Sequence, residues 1–246
     1  MDLSKKEILH KQIMQAICEV IQEEGKPLVL KGGTSLLLGY GLQRFSEDLD
    51  FDLTTSLRGK LNVESICKAA VKKLAGKGIK VTLDSFKDLK DTETTHRCRP
   101  IFSAGEDVPP FPIKIEISSR SIPDPGEIGT VNGISMYSVR EIARLKLLAA
   151  CEDETRRYRT TARDLHDLAF IAKNWESELP PEIIRQLEEF FADPAYLMER
   201  YEDAYTADPL LEGRLFEDLS IIEQWIGNRA QADLGIFEER SPSGND

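Results

Sequence analysis

The chain has 246 residues, 41% hydrophobic and 30% charged, enough to bury one sizeable core or two modest ones, since domains mostly run roughly 100–200 residues. No apolar stretch approaches the roughly 20 residues of a membrane helix, and residues 1–24 mix charges among their apolar positions, so a signal peptide and a membrane partner are excluded and the cytoplasm is the expected location. Four scattered cysteines without a C-x-x-C pair and only three histidines argue against a disulfide framework, a zinc ribbon or a His-rich metal site, and the net charge of −11 ordinarily counts against a nucleic-acid partner.

Ser4-Lys5-Lys6-Glu7 is a capping box, and Ile8, Leu9, Ile13, Ile17, Val20 and Ile21 recur at helical spacing until Gly25 and Pro27 stop the pattern. Residues 27–30 read as a short buried strand, Gly32-Gly33 as a turn, and Thr34 as the cap of a short helix through Tyr40. Residues 49–53 alternate apolar and acidic side chains, the period of a strand. Residues 62–74 are predicted helical, 80–86 alternate again, 97–102 form a weaker strand, and 112–119 set Ile113, Ile115 and Ile117 against Lys114 and Glu116. After Pro123-Asp124-Pro125-Gly126 the composition changes, and from Ser138 almost everything reads helical: 139–151, opened by a Ser138/Glu141 box, then 161–174, 181–191 and segments to Trp225. Residues 241–246 read as a frayed tail. These elements make an α+β (α/β) fold: a mixed-sheet core over 1–135, then a helical domain over 136–246.

Charge divides further along the chain, inside the helical part. Residues 175–246 hold 18 acids against 5 arginines and no lysine, a local net of −13, which leaves +2 on residues 1–174. The acidic part reads mainly as the solvated face of amphipathic helices. A mildly basic body remains able to bind an anionic substrate, with a polynucleotide expected along the cleft between the core and the helices after Ser138, near the basic loop Arg156, Arg157, Tyr158 and Arg159.

The chemistry is concentrated in Lys31-Gly32-Gly33-Thr34-Ser35 and Arg44-Phe45-Ser46-Glu47-Asp48-Leu49-Asp50-Phe51-Asp52. On a strand, Asp48, Asp50 and Asp52 point to one face, about 7 Å apart along it. Such a row repels itself, so it is either an edge strand with a solvated acidic face or a set of oxygen ligands for a divalent cation. A Gly-Gly turn entering a helix offers backbone N–H groups to an anion such as a triphosphate, and Glu116 supplies a third carboxylate on another strand. Two metals on three carboxylates beside a phosphate cradle suit an in-line displacement at phosphorus.

Gly32-Gly33-Thr34 followed by Arg44-x-Ser46-x-Asp48-x-Asp50 resembles the signature of the AbiEii/AbiGii-type nucleotidyltransferase toxins, within the DNA polymerase β-like nucleotidyltransferase superfamily. Glu116 matches the superfamily's third carboxylate, and Glu141-x4-Lys146 with Arg163-Asp164-Leu165-His166-Asp167-Leu168 is similar to the family's helical element. The resemblance spans roughly residues 25–172. It implies an NTP- and Mg2+-dependent transferase acting on tRNA as the toxin of a toxin–antitoxin (abortive infection) system, with a small DNA-binding regulator as antitoxin. By resemblance, Asp48 and Asp50 hold both metals, Glu116 completes the metal that activates the acceptor hydroxyl, and Gly32, Gly33, Thr34, Arg44, Ser46 and Lys146 serve the nucleotide. Asp164 orients Lys146 or the acceptor, with Asp167, one turn on, as the alternative. Asp52, which makes the pair a triple, reads as a spare acid.

Several of these residues admit a plainer role. Arg44 either neutralises the acidic cluster or reaches nucleotide phosphates, Ser46 caps a turn, Lys146 snorkels at a bundle edge, and His166 is a polar surface or outlying residue. The same chemistry also fits a small-molecule or protein acceptor, and the same fold fits a catalytically idle nucleotide- or antitoxin-binding module.

Overall fold

The computed structural model of the chain describes residues 4–55, 61–105, 107–151 and 159–239. Two compact units divide it, Met1–Ser138 and Val139–Asp246, and among the described residues no helix is long and apolar enough to cross a membrane.

The first unit opens with α1 (Lys5–Glu23), started by the expected capping box: Ser4 Oγ accepts from the Glu7 amide while the Glu7 carboxylate accepts from that of Ser4. There follow β1 (Leu28–Lys31), α2 (Gly33–Ser35) running into a π-helical turn at Leu36–Tyr40, β2 (Asp48–Leu53) and α3 (Val63–Gly76). The remaining strands are β3 (Thr82–Ser85), β4 (Asp88–Asp91), β5 (Thr95–Cys98), β6 (Ile101–Ser103), β7 (Phe111–Pro112), β8 (Lys114–Ser118), β9 (Ile128–Val131) and β10 (Ile134–Tyr137). Seven form a mixed sheet in the order β4-β5-β8-β2-β1-β10-β9, and three form a small one, β3-β6-β7. The acidic strand β2 is therefore the middle strand, parallel to β8 and antiparallel to β1. That removes the edge-strand reading. Leu49, Phe51 and Leu53 of β2 and Ile115 and Ile117 of β8 are buried on the apolar face, which fixes register, because a one-residue slip would exchange the two faces.

Three local expectations are corrected. The strand read over 97–102 is two strands in different sheets, since Pro100 has no N–H to donate to a ladder. The strand read over 112–119 divides likewise at Ile113, whose amide bonds the Pro100 carbonyl. Helix α2 begins before Thr34: Gly32, at φ +74°, is its cap residue, and the Thr34 hydroxyl is committed elsewhere.

The second unit comprises α4 (Val139–Ala150), α5 (Ala162–Trp175), α6 (Pro181–Phe191), α7 (Pro194–Ala207) and α8 (Leu215–Glu239). Ser138, ahead of α4, donates to Glu127, while Glu141 is forked by Arg144 at 2.6 and 2.7 Å. Helix α5 packs against α4, α7 and α8. His166 is not a surface residue: it is 5% exposed, and its Nδ1 lies 2.9 Å from Asp218 of α8, which also accepts from the Tyr205 hydroxyl of α7 at 2.6 Å. The expected tail, 241–246, lies outside the described residues.

Truncating Asp218 leaves both partners buried without an acceptor. We expect Asp218→Ala to cost about 2–4 kcal/mol, read as a lower urea midpoint with the helical unit affected first.

Candidate active site

The sheet register places five charged residues in one row across five strands. Lys90 of β4 faces Arg97 of β5, Arg97 faces Glu116 of β8, Glu116 faces Asp50 of β2, and Asp50 faces Lys31 of β1. One step along β2, Asp48 faces Lys114. Most of these charges are matched in pairs. Lys114 Nζ lies 2.6 Å from Asp48 Oδ2, and Arg97 donates twice to Glu116 Oε2, at 2.8 and 2.6 Å. Asp52, third in the acidic triple, is 6% exposed and bound by Lys31 at 2.6 Å and the Tyr137 hydroxyl at 2.8 Å, so it has the character of an internal anchor.

Asp50 is the exception. Among the described residues its carboxylate has no hydrogen bond and no ion pair. Burial raises its pKa above the ordinary aspartate value; Lys114 opposes that, Asp48 and Glu116 reinforce it, and Lys31 opposes it more weakly. Burial also raises the Glu116 carboxyl, but its Arg97 fork, helped by Lys114 and Lys31, more than offsets that, and its pKa is lowered.

The glycine turn is tied to this row by side chains that the sequence assigned to phosphate. The Thr34 hydroxyl donates to the Asp48 carbonyl and lies 2.7 Å from Ser46 Oγ, so the start of α2 and the entry to β2 are stitched together. Arg44 is 2% exposed, donates to the Phe45 carbonyl and lies against Gly33 so closely that a Cβ there would run into its guanidinium. Arg44 and Ser46 therefore pack into the turn, and a side chain at Gly33 would have to displace the buried Arg44 guanidinium. His10 of α1 is a residue the sequence reading missed. Its ring stacks on Phe111, meets Phe45 edge-on, both at 5.1 Å between centroids, and sets Nε2 2.9 Å from the Glu47 carbonyl. A polar residue on an apolar helical face was the only signal, and it pointed to burial without naming the partner.

The remaining predicted residues form a cluster of their own in the second unit. Lys146 is 7% exposed and does not snorkel; its ammonium sits 2.9 Å from Asp164 and 2.6 Å from Asp167. Both alternatives for the helical acid thus serve the same lysine. Burial would raise the Asp164 carboxyl, but Lys146, the Arg159 guanidinium and the Thr161 hydroxyl bring it down to about 2. Arg159 is engaged there, while Arg156, Arg157 and Tyr158 lie outside the described residues.

Among the described residues no three His, Cys, Asp or Glu side chains already converge as a metal cage, with Asp48 and Glu116 held by cations. The donor chemistry nonetheless fits a hard divalent cation: carboxylates on adjacent strands, one of them partnerless and desolvated. Asp48, Asp50 and Glu116 are the residues that would hold it.

The family model of the AbiEii nucleotidyl transferase toxin, type IV toxin–antitoxin system, matches residues 13–242. Among solved structures, the chain is similar to JHP933 from Helicobacter pylori, with 30% identity, a TM-score of 0.77 and coverage of 98% of this chain and 100% of that one. It is also similar to a candidate nucleotidyltransferase from H. pylori, at 31% identity and a TM-score of 0.76, covering 94% and 99%. No functionally curated protein matches the chain.

A carboxyl whose pKa is higher folded than unfolded supports folding only at low pH, and that contribution is lost as pH rises through the folded value. At pH 7 Asp50 therefore weakens the fold. Asp50→Asn should raise the melting temperature in EDTA by a few degrees at pH 7, with the gain shrinking toward pH 4; calorimetry across that range checks it.

Proposed function

Because the chain belongs to the AbiEii family of nucleotidyl transferase toxins, and is thereby a nucleotidyltransferase of a toxin–antitoxin system, we propose that it transfers a nucleotidyl group from an NTP to a hydroxyl of tRNA. A small DNA-binding antitoxin is the expected counterpart. The acceptor oxygen forms a bond to the α-phosphorus while the bond from that phosphorus to the oxygen bridging to the β-phosphate breaks. Pyrophosphate leaves with the electron pair, and the hydroxyl proton passes to solvent.

The observation that carries this reading is the Asp50 carboxylate, without a partner among the described residues, on the middle strand between Asp48 and Glu116 and one strand from the glycine turn. A fold keeps such a destabilising group where function requires it. A divalent metal, Mg2+ foremost, held by Asp48, Asp50 and Glu116 would supply neutralisation of the phosphates and activation of the hydroxyl. Gly32, Gly33 and Thr34 present backbone to the triphosphate, and Arg44 and Ser46 keep that backbone in shape. Lys146, which the resemblance gives to the nucleotide, belongs to the helical unit, where Asp164 and Asp167 take two of its ammonium's three donors.

The test is incubation with each labelled NTP, Mg2+ and total RNA or total protein. Label should enter the tRNA fraction and fall at least ~100-fold with Asp48→Ala or Asp50→Ala, both remaining folded. Label in protein instead would reassign the acceptor; no label in any fraction would make the chain an idle binding module.

A further inference from the structure

Beside the carboxylates, on the side of β8, the first unit carries cations that its own acids do not neutralise. Among the described residues, the side chains of Lys87, Lys90 and Arg99 make no hydrogen bond or ion pair, and all three are exposed. Nearby acids do not cancel them by position. Asp88 and Asp91 of β4 face Cys98 and His96, on the opposite side of the sheet, and Asp88 bonds His96 at 2.8 Å, whereas Lys90 faces Arg97 on the side of Glu116 and Asp50. Next to this ribbon lies a cavity of about 300 Å3 lined by Glu47, Asp48, Leu89, Arg99, Pro112 and Lys114. Leu89 is 45% exposed on an edge strand, where natural sheets ordinarily avoid apolar side chains.

We propose that this ribbon and cavity bind the single-stranded, hydroxyl-bearing end of an acceptor RNA, which rests on the nucleotidyl-transfer reading above. Three features fix that choice. The cavity is about the smallest that holds an organic ligand, so it takes one terminal nucleoside while the preceding chain crosses Lys90 and Lys87. Its walls are chemically divided: Leu89 and Pro112 offer an apolar platform to a base or sugar, Arg99 a fork for a phosphate, and Glu47 and Asp48 acceptors for ribose hydroxyls. Carboxylates at the inner wall repel a terminal phosphate, so the free hydroxyl end faces Asp48.

The strand order supplies the third feature. Gly32-Gly33 follows β1, on one side of β2, while the cavity lies on the other side, by β8, β5 and β4. In-line transfer requires the attacking hydroxyl and the departing pyrophosphate on opposite sides of the phosphorus. A triphosphate at the glycine turn and an acceptor in the cavity meet that requirement with Asp48 and Asp50 between them.

The experiment measures fluorescence anisotropy of a short 5′-labelled single-stranded RNA with a free 3′ end, titrated with the whole protein without nucleotide. Lys90→Glu with Arg99→Glu should weaken binding at least tenfold and reduce the log–log salt slope by about 1.4, roughly 0.7 for each phosphate that is no longer neutralised. Melting temperature and NTP affinity should stay as in the wild type. Lys68→Glu with Lys72→Glu, the same charge change on exposed positions of α3, should leave RNA binding unaltered. Wild-type-like RNA binding by the Lys90/Arg99 variant, or an equal weakening in the α3 control, overturns the proposal while transfer to RNA would still stand. A wild type that transfers nucleotide but binds no RNA overturns both the RNA acceptor and this surface.

Discussion

Everything in the first unit is arranged around a like-charge repulsion. Two carboxylates about 7 Å apart on one strand repel by roughly 2 kcal/mol at an effective dielectric of ~20, and Glu116 directly across from Asp50 adds a cross-strand repulsion of the same sign. An edge strand would dissipate this into water. Here the strand is the middle of seven, so the sheet supplies its own counter-charges: Lys114 on Asp48, Arg97 on Glu116, Lys31 on Asp52. Among the described residues, Asp50 alone is left without one. The residual cost is concentrated on a single carboxylate, and a group that raises the energy of the fold while sitting between two other acids is best explained by what it binds.

Fixing that carboxylate in place is the task of the neighbouring loop. Gly32 reaches a positive φ that lets the chain turn straight from β1 into α2. Arg44, folded over Gly33, fills the space a side chain would need, and Thr34 joins the turn to the carbonyl of Asp48. His10 and its two aromatic neighbours hold Glu47 from the other side of the sequence. Buried polar contacts of this kind are costly when incomplete and rigid when complete. The glycine turn and the acidic strand consequently behave as one piece. The helical unit shows the same economy, where Asp164 and Asp167 both converge on Lys146 and Asp218 joins His166 to Tyr205.

Much of this is legible in the residues themselves. Period-two alternation places Asp48, Asp50 and Asp52 on one face, and the capping box at Ser4 and the proline at 181 mark helix starts to within a residue. What the sequence does not show depends on which strands become neighbours. Nothing near Arg97 indicates that it will oppose Glu116, and nothing near His166 points 52 residues ahead to Asp218. Other features do carry local signals. Asn132-Gly133, which the sequence reading passed over, has both φ angles positive, as a two-residue hairpin turn needs, and joins β9 to β10. Pro100 breaks what looks like one strand, and its missing ladder donor makes that foreseeable. Arg44 and Ser46 are given to the nucleotide by resemblance, and nothing in the motif shows that both also pack into the glycine turn.

The central claim is that Asp50, with Asp48, holds the divalent metal of nucleotidyl transfer. Crystals grown with Mn2+ and a non-hydrolysable NTP, measured for anomalous scattering, test it most directly. The account predicts an anomalous peak at about 2.1 Å from oxygens of both Asp48 and Asp50, with the triphosphate toward Gly32 and Gly33. Ordered nucleotide with Asp50 bearing no metal, or metal bound only at carboxylates outside the β2–β8 row, would contradict it.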